Sequence, residues 1–171
     1  MPVFVPLSVS ELAALAGGGR LADRLAWAAT PALAADLGGA DDDLAAWTAL
    51  AHASVEGLAA HGVRLVAVAA APLAGETEPG RGRVAELVWP AVTAVFADDP
   101  AAAADVAALA PIVAGLDLAA ALGQPGVARF AAEAPLLWYD ATEVGRGLVT
   151  AVAADGLQVV ATGGDTAAAS R

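Results

Sequence analysis

Residues Val63 to Ala71 read Val-Arg-Leu-Val-Ala-Val-Ala-Ala-Ala, with Gly62 before them and Pro72 after. Beyond Arg64, both alternating sides of this run are apolar. A half-exposed strand alternates apolar with polar residues. A run that is apolar on both sides suits a strand with packed layers above and below it. The Gly and Pro at its ends mark turns. The run therefore predicts the interior of a sheet, with helices packed against it.

The flanking segments supply its partners. Val3-Phe4-Val5-Pro6-Leu7 reads as a first strand. Ser8 to Glu11 has capping-box spacing: the Ser hydroxyl accepts from the Glu amide, and the carboxylate reaches back. The helix it opens ends at Gly17-Gly18-Gly19. That triplet is no phosphate loop, because it closes a helix and no Lys-Ser/Thr follows. Leu25 to Ala29 predicts a second strand, and Thr30-Pro31 a helix start. Asp41-Asp42-Asp43 opens the longest helix, which runs to Ala60, with Gly62 as its left-handed terminator. Leu44, Trp47, Ala51, Val55 and Leu58 share one arc of that helix and are expected to form its buried stripe.

Gly75 to Arg83 is rich in Gly, Glu and Pro and reads as a loop. Val84 to Val88 and Val92 to Ala97 read as strands on either side of Trp89-Pro90. Asp99-Pro100 starts a helix with Val106, Leu109, Val113 and Leu116 inward, which Pro111 should kink or split. Val127 to Glu133 is a short helix. Leu136-Leu137-Trp138-Tyr139 is the densest cluster of large apolar residues, expected to be extended and anchored on the core. Asp140 to Glu143 repeats the capping-box spacing. Leu148 to Ala153 and Leu157 to Ala161 flank Asp155-Gly156, a hairpin signal. The expected architecture is one α/β domain over residues 1–148, with a mixed sheet of about four or five strands. Val63–Ala71 is its centre, and helices pack on it. A hairpin extension over 149–162 and a flexible tail over 163–171 complete the expectation.

Composition narrows function. The net charge is −11, and every basic residue is an arginine. Nucleic-acid binding rests on neutralising phosphates with basic side chains, so it is not expected; nor is an anionic membrane surface. Basic partners or a soluble acidic surface suit the charge better, and simple solubility is the favoured reading. There is no cysteine, which removes disulfides, thiol nucleophiles and Cys-based metal sites. No leader and no apolar segment of spanning length are evident, so a cytoplasmic protein is expected. No Gly-x-Gly-x-x-Gly follows a strand, and no cofactor is expected.

Two groups of candidate residues follow. Asp98 and Asp99 sit at the end of a strand, where ligands collect in open α/β sheets. With Asp140, or with Glu143, they offer oxygen ligands for Mg²⁺. Trp138 and Tyr139, with Thr30, offer aromatic faces and polar tips for a pocket or an interface. His52 and His61 lie on opposite faces of the long helix and cannot share a metal. No nucleophile motif accompanies His52 as a general base.

Several stretches, in this order, resemble a family of small uncharacterised actinobacterial proteins known only as a domain of unknown function. They are Val3 to Pro6, Ala28 to Leu33, the Ala-rich helix leading into Val63 to Ala71, Ala94 to Asp99, and Leu136 to Tyr139 with Glu143. The likeness spans Met1 to Leu148; the Gly75–Arg83 loop and the residues after Leu148 depart from it. It implies a high-GC bacterial cytosolic origin and no activity. The sequence therefore favours a non-enzymatic binding or interaction module, with Thr30, Trp138, Tyr139 and Glu143 as ligand or interface candidates. The alternatives are a carboxylate-based enzyme using Asp98, Asp99 and Asp140, and a structural homodimer.

Overall fold

The computed structural model describes residues 1–146, 148–150 and 158–160. Val3–Pro6 (β1) is antiparallel to Arg20–Ala28 (β2) on one side and to Leu65–Ala69 (β3) on the other. Beyond β2 lie Ala74–Glu78 (β4) and Arg81–Val88 (β5), with β5 next to β2 and β4 outermost. Beyond β3 lie Val92–Asp98 (β6) and then Leu136–Asp140 (β7). The result is a seven-stranded sheet in the order β4-β5-β2-β1-β3-β6-β7. Every neighbouring pair in it is antiparallel.

The run expected at the centre lies inside the sheet, next to β1, which holds the middle place. All of β3 is buried, with a neighbour on each side. Its residues alternate between two cores, as strand pleating requires. Leu65, Ala67 and Ala69 point to one side, where Leu12 and Leu15 of Val9–Ala16 (α1) and Ala141 and Val144 of Ala141–Arg146 (α7) complete the core. Val66 and Val68 point to the other, beneath Asp42–His61 (α3). Ala103–Val113 (α4), Leu118–Leu122 (α5) and Val127–Glu133 (α6) complete that layer.

Local chemistry sets the helix ends. The Ser8–Glu11 capping box is formed on both sides. Thr30 caps Pro31–Asp36 (α2), with Pro31 in its first turn. Asp41 caps α3, and Gly62 ends it in the left-handed region at φ 73°. Gly57 lets α3 sit close on the sheet, since a Cβ there would lie 3.1 Å from the Val63 carbonyl oxygen. Asp99 caps the 3₁₀ turn Pro100–Ala102 that leads into α4. Pro111 stays within α4, near its end, without splitting it.

Four expectations need correction. The sheet has seven strands rather than four or five, and its pairing is antiparallel rather than mixed. Gly75 to Arg83 is not a loop: it lies in the β4–β5 hairpin, closed at Glu78↔Arg81 around Pro79-Gly80. All of β4 is exposed, so main-chain bonds rather than burial make it a strand, and no apolar alternation announces it. Leu136 to Tyr139 is extended, but as the edge strand β7, with Trp138 57% exposed. The buried arc of α3 is Ala45, Ala49, Leu50, Ala53, Val55, Leu58 and Ala59; Leu44 and Trp47 lie outside it. Leu148–Thr150 (β8) and Gln158–Val160 (β9) pair antiparallel as a separate two-stranded sheet. The Asp155-Gly156 turn and the tail expected after residue 162 lie outside the described residues. Among the described residues, no helix is long and apolar enough to cross a membrane.

One polar knot crosses the core. Arg64, 1% exposed, pairs with Asp98 at the end of β6 through Nε (2.7 Å) and Nη2. The Arg64 amide also donates to Asp98 Oδ2 (3.3 Å), and Nη1 donates to the Ala134 carbonyl (3.2 Å). The guanidinium lies 4.1 Å from the centre of the Phe130 ring. Burial pushes the Asp98 carboxyl above its ordinary value, against the pull of the Arg64 charge and hydrogen bonds. Removing one partner of a buried pair strands the other, which typically costs about 3–5 kcal/mol. Asp98→Ala is therefore expected to lower unfolding free energy by about that amount in urea melts. The double variant Arg64→Met/Asp98→Leu should lose much less.

Candidate functional site

A groove of about 530 Å³ opens between α3 and α6. Leu44, Trp47, Ala51 and Val55 form one wall, with Thr48 and His52. Ala128, Ala131 and Ala132 of α6 form the other, and Pro135 and Leu136 lie where the chain enters β7. The cause is a shortage of volume. Where α6 faces α3 it offers methyl groups, so no large side chain fills the space beside Leu44 and Trp47. Leu44 is left 52% exposed and Trp47 66% exposed. Large apolar residues left unburied beside a concavity mark an interaction surface more often than chance exposure does.

Four of the five residues expected in the buried stripe of α3 line the groove: Leu44 and Trp47 are exposed, Ala51 is half-buried and Val55 is buried as expected. The helix turns its small residues to the sheet, because Ala45, Ala49, Ala53 and Gly57 allow close approach. Leu44 and Trp47 go to the flank, while Leu50, Val55 and Leu58 stay buried. Thr48 was the sequence signal: it falls in the same arc as Leu44 and Ala51, a polar residue in a stripe read as dry.

His52 joins the groove to the core. Its ring meets Trp27 edge-on, with centroids 4.7 Å apart and planes at 71°. Its Nδ1 is buried without a hydrogen-bond partner among the described residues. Burial holds its pKa below the ordinary value, against the pull of Asp36 and Glu78. Glu56, one turn on, does not serve His52. It accepts from Trp27 Nε1 (2.8 Å) and from Arg81 Nε (2.9 Å).

The residues proposed from sequence do not meet in one place. Thr30 is 5% exposed; its hydroxyl accepts from the Leu33 amide (3.1 Å) and donates to Glu76 (2.7 Å). It follows β2, four strand spacings from β7, about 19 Å at about 4.8 Å each. Trp138 and Tyr139 are adjacent in a strand and so point to opposite faces. Trp138 pairs across to Phe96 on the α3 side, on the same face as Leu136 of the groove, while Tyr139 packs against the α1 side. Glu143 accepts from the Asp140 amide (3.0 Å) and caps α7 locally.

The three aspartates do not converge either. Asp98 is engaged by Arg64, and Asp99 accepts from the Ala101 amide (2.8 Å). Asp98 pairs with Leu136 and Asp140 with Ala94, which separates the two acids by about 14 Å along the strands. An antiparallel sheet has no single edge of strand carboxyl ends, so the reason for expecting a ligand at Asp98 also falls away.

The pH dependence of His52 follows from its burial. A histidine held below its ordinary value contributes stability that is whole above about 6.5 and is lost as pH falls through its folded value. The urea midpoint is expected to drop between about pH 7 and about pH 5, and His52→Phe to flatten that drop. Parallel melts of the two chains measure it.

No curated protein and no solved structure matches this chain. Residues 1–148 match the model of a family described as "Family of unknown function (DUF6912)". The likeness that the short motifs suggested thus holds over the whole sheet, and the chain belongs to that family of unknown function.

Proposed function

We propose that this chain is a non-enzymatic cytosolic binding module whose α3–α6 groove takes an amphipathic helix of a protein partner. The observation that carries the reading is the exposure of Leu44 and Trp47 along an apolar concavity. A helix laid in a groove anchors through side chains at i, i+3, i+4 and i+7, which suits a concavity walled by two helices. Trp138, on the same face of β7 as Leu136, offers a further aromatic anchor.

Charge selects the partner's flanks. Asp41, Asp42 and Asp43 stand exposed beside Leu44 at the start of α3. The chain as a whole carries −11. A helix with an apolar face and Lys or Arg flanks complements that rim; an acidic one is repelled.

The test uses a synthetic Leu/Lys amphipathic helix of about five turns and its Leu/Glu counterpart. The Leu/Lys peptide is expected to bind saturably with a blue shift of tryptophan emission, and the Leu/Glu peptide not to bind. Trp47→Ala is expected to weaken binding about thirtyfold, the loss typical of a central anchor. Its unfolding midpoint should barely move, because the ring is mostly exposed in the free chain. Equal binding of both peptides, or unaltered binding by Trp47→Ala, would overturn the reading. So would sedimentation showing a dimer that Trp47→Ala dissociates, since the occupant would then be a second copy.

A further inference from the structure

We propose that a second cleft, at the opposite end of α3, binds a small molecule through a carboxylate or phosphate group. The cleft exists because the sheet is split. β1 and β2 pair only at Val3↔Ala28 and Phe4↔Trp27, while β1 continues beside β3 as far as Pro6↔Val66. Pro6 brings no amide donor to the parting strands. The opening holds about 300 Å³, near the lower bound for small-molecule sites.

Cations are concentrated there. Arg24, Arg81 and Arg83 line the cleft, beside His61, whose burial holds its pKa below the ordinary value. That is three of the eight basic residues of a chain whose net charge is −11. Asp23, Glu56 and Asp117 line it too, so the cleft is formally balanced in charge where the chain as a whole is strongly acidic, and an anion meets less repulsion there than over the rest of the surface. Solubility does not explain the gathering of these arginines, because a solvated surface would spread them.

The guanidinium groups are held in place. Arg24 Nη1 lies 2.8 Å from Glu11 Oε1, and its Nε is buried without a hydrogen-bond partner among the described residues. Arg83 grips Asp23 twice over: Nε and Nη2 reach the carboxylate, and Nη2 also reaches the main-chain oxygen at 2.7 Å. Asp23 makes this possible with φ at +50°, the only non-glycine among the described residues in the left-handed region. The β2–β5 ladder skips that residue. An irregularity that presents one residue's carboxylate and carbonyl to a single guanidinium is the kind of backbone exception found beside binding sites. Arg81 is tied to Glu56 and Glu78. These contacts leave Nη2 of Arg24 and Nη1 of Arg83 for a planar or tetrahedral oxyanion, the shape a guanidinium fork matches.

The acids in the same cleft shape the rest of the ligand. Asp117 accepts from the Ala120 amide through one oxygen, and Leu25, Ala59 and Leu116 supply apolar surface. A ligand with an oxyanion at one end and a hydroxyl or amine at the other satisfies both signs of charge.

Amide NMR titrations with sodium phosphate and with succinate, at ionic strength fixed with sodium chloride, test this. Saturable shifts are expected at Arg24, Leu25, His61 and Arg83 with at least one probe, and the stronger of the two identifies the oxyanion. Arg83→Gln and Arg83→Lys are each expected to weaken binding about tenfold or more, since Lys keeps the charge and loses the fork. Arg83 is half exposed, so both variants should fold. Arg20→Gln, at the far end of the same strand pair, should change nothing. Absence of saturable shifts with both probes, or equal weakening by Arg20→Gln, would overturn the proposal. The cleft and the groove share α3 but not these arginines, so either proposal can fail alone.

Discussion

The contact between Arg64 and Asp98 organises more of this molecule than any other. It ties the residue before β3 to the last residue of β6, and so fixes the register of that pair at its end. The same guanidinium stacks on Phe130 of α6 and bonds the Ala134 carbonyl at that helix's end. α6 is one wall of the apolar groove. A charge that looks like an interruption in an apolar strand is thus the fastening that sets the helical layer on the sheet. Burying it is costly, and the compensation is geometric: Nε donates to Asp98, Nη1 to the Ala134 carbonyl, and the plane lies over the Phe130 ring.

Alanine explains the second feature. Small side chains contribute little burial energy each, but they let backbones approach closely. α3 presses its Ala45–Ala49–Ala53–Gly57 side against the sheet and leaves Leu44 and Trp47 on its flank. In an ordinary composition the largest residues would mark the core. Here Trp27, Phe4 and Phe130 still fill the core, and Leu44 and Trp47 are left beside the space that the alanines do not fill.

The sequence was readable where one residue's chemistry decides the local structure. The Ser8–Glu11 box, the Thr30-Pro31 start, the Asp41 cap, Gly62 and Asp99-Pro100 all act within a turn of themselves. The buried strand at Leu65–Ala69 was readable because both its faces are apolar. The β4 strand was hidden because Glu76, Thr77 and Glu78 are all exposed and only the main chain pairs. The groove was hidden because helical periodicity gives an arc without saying which arc meets the sheet. The converging arginines were hidden because Arg24 comes from β2 and Arg81 and Arg83 from β5, strands joined by a register that no local pattern encodes.

The two borders of the sheet differ in kind. At one, β4 carries Glu76 and Glu78, whose charges repel a further strand. At the other, β7 pairs with β6 alone among the described residues and presents Trp138 at its middle. Among the described residues, like charge thus guards one border of the sheet and a bulky aromatic marks the other.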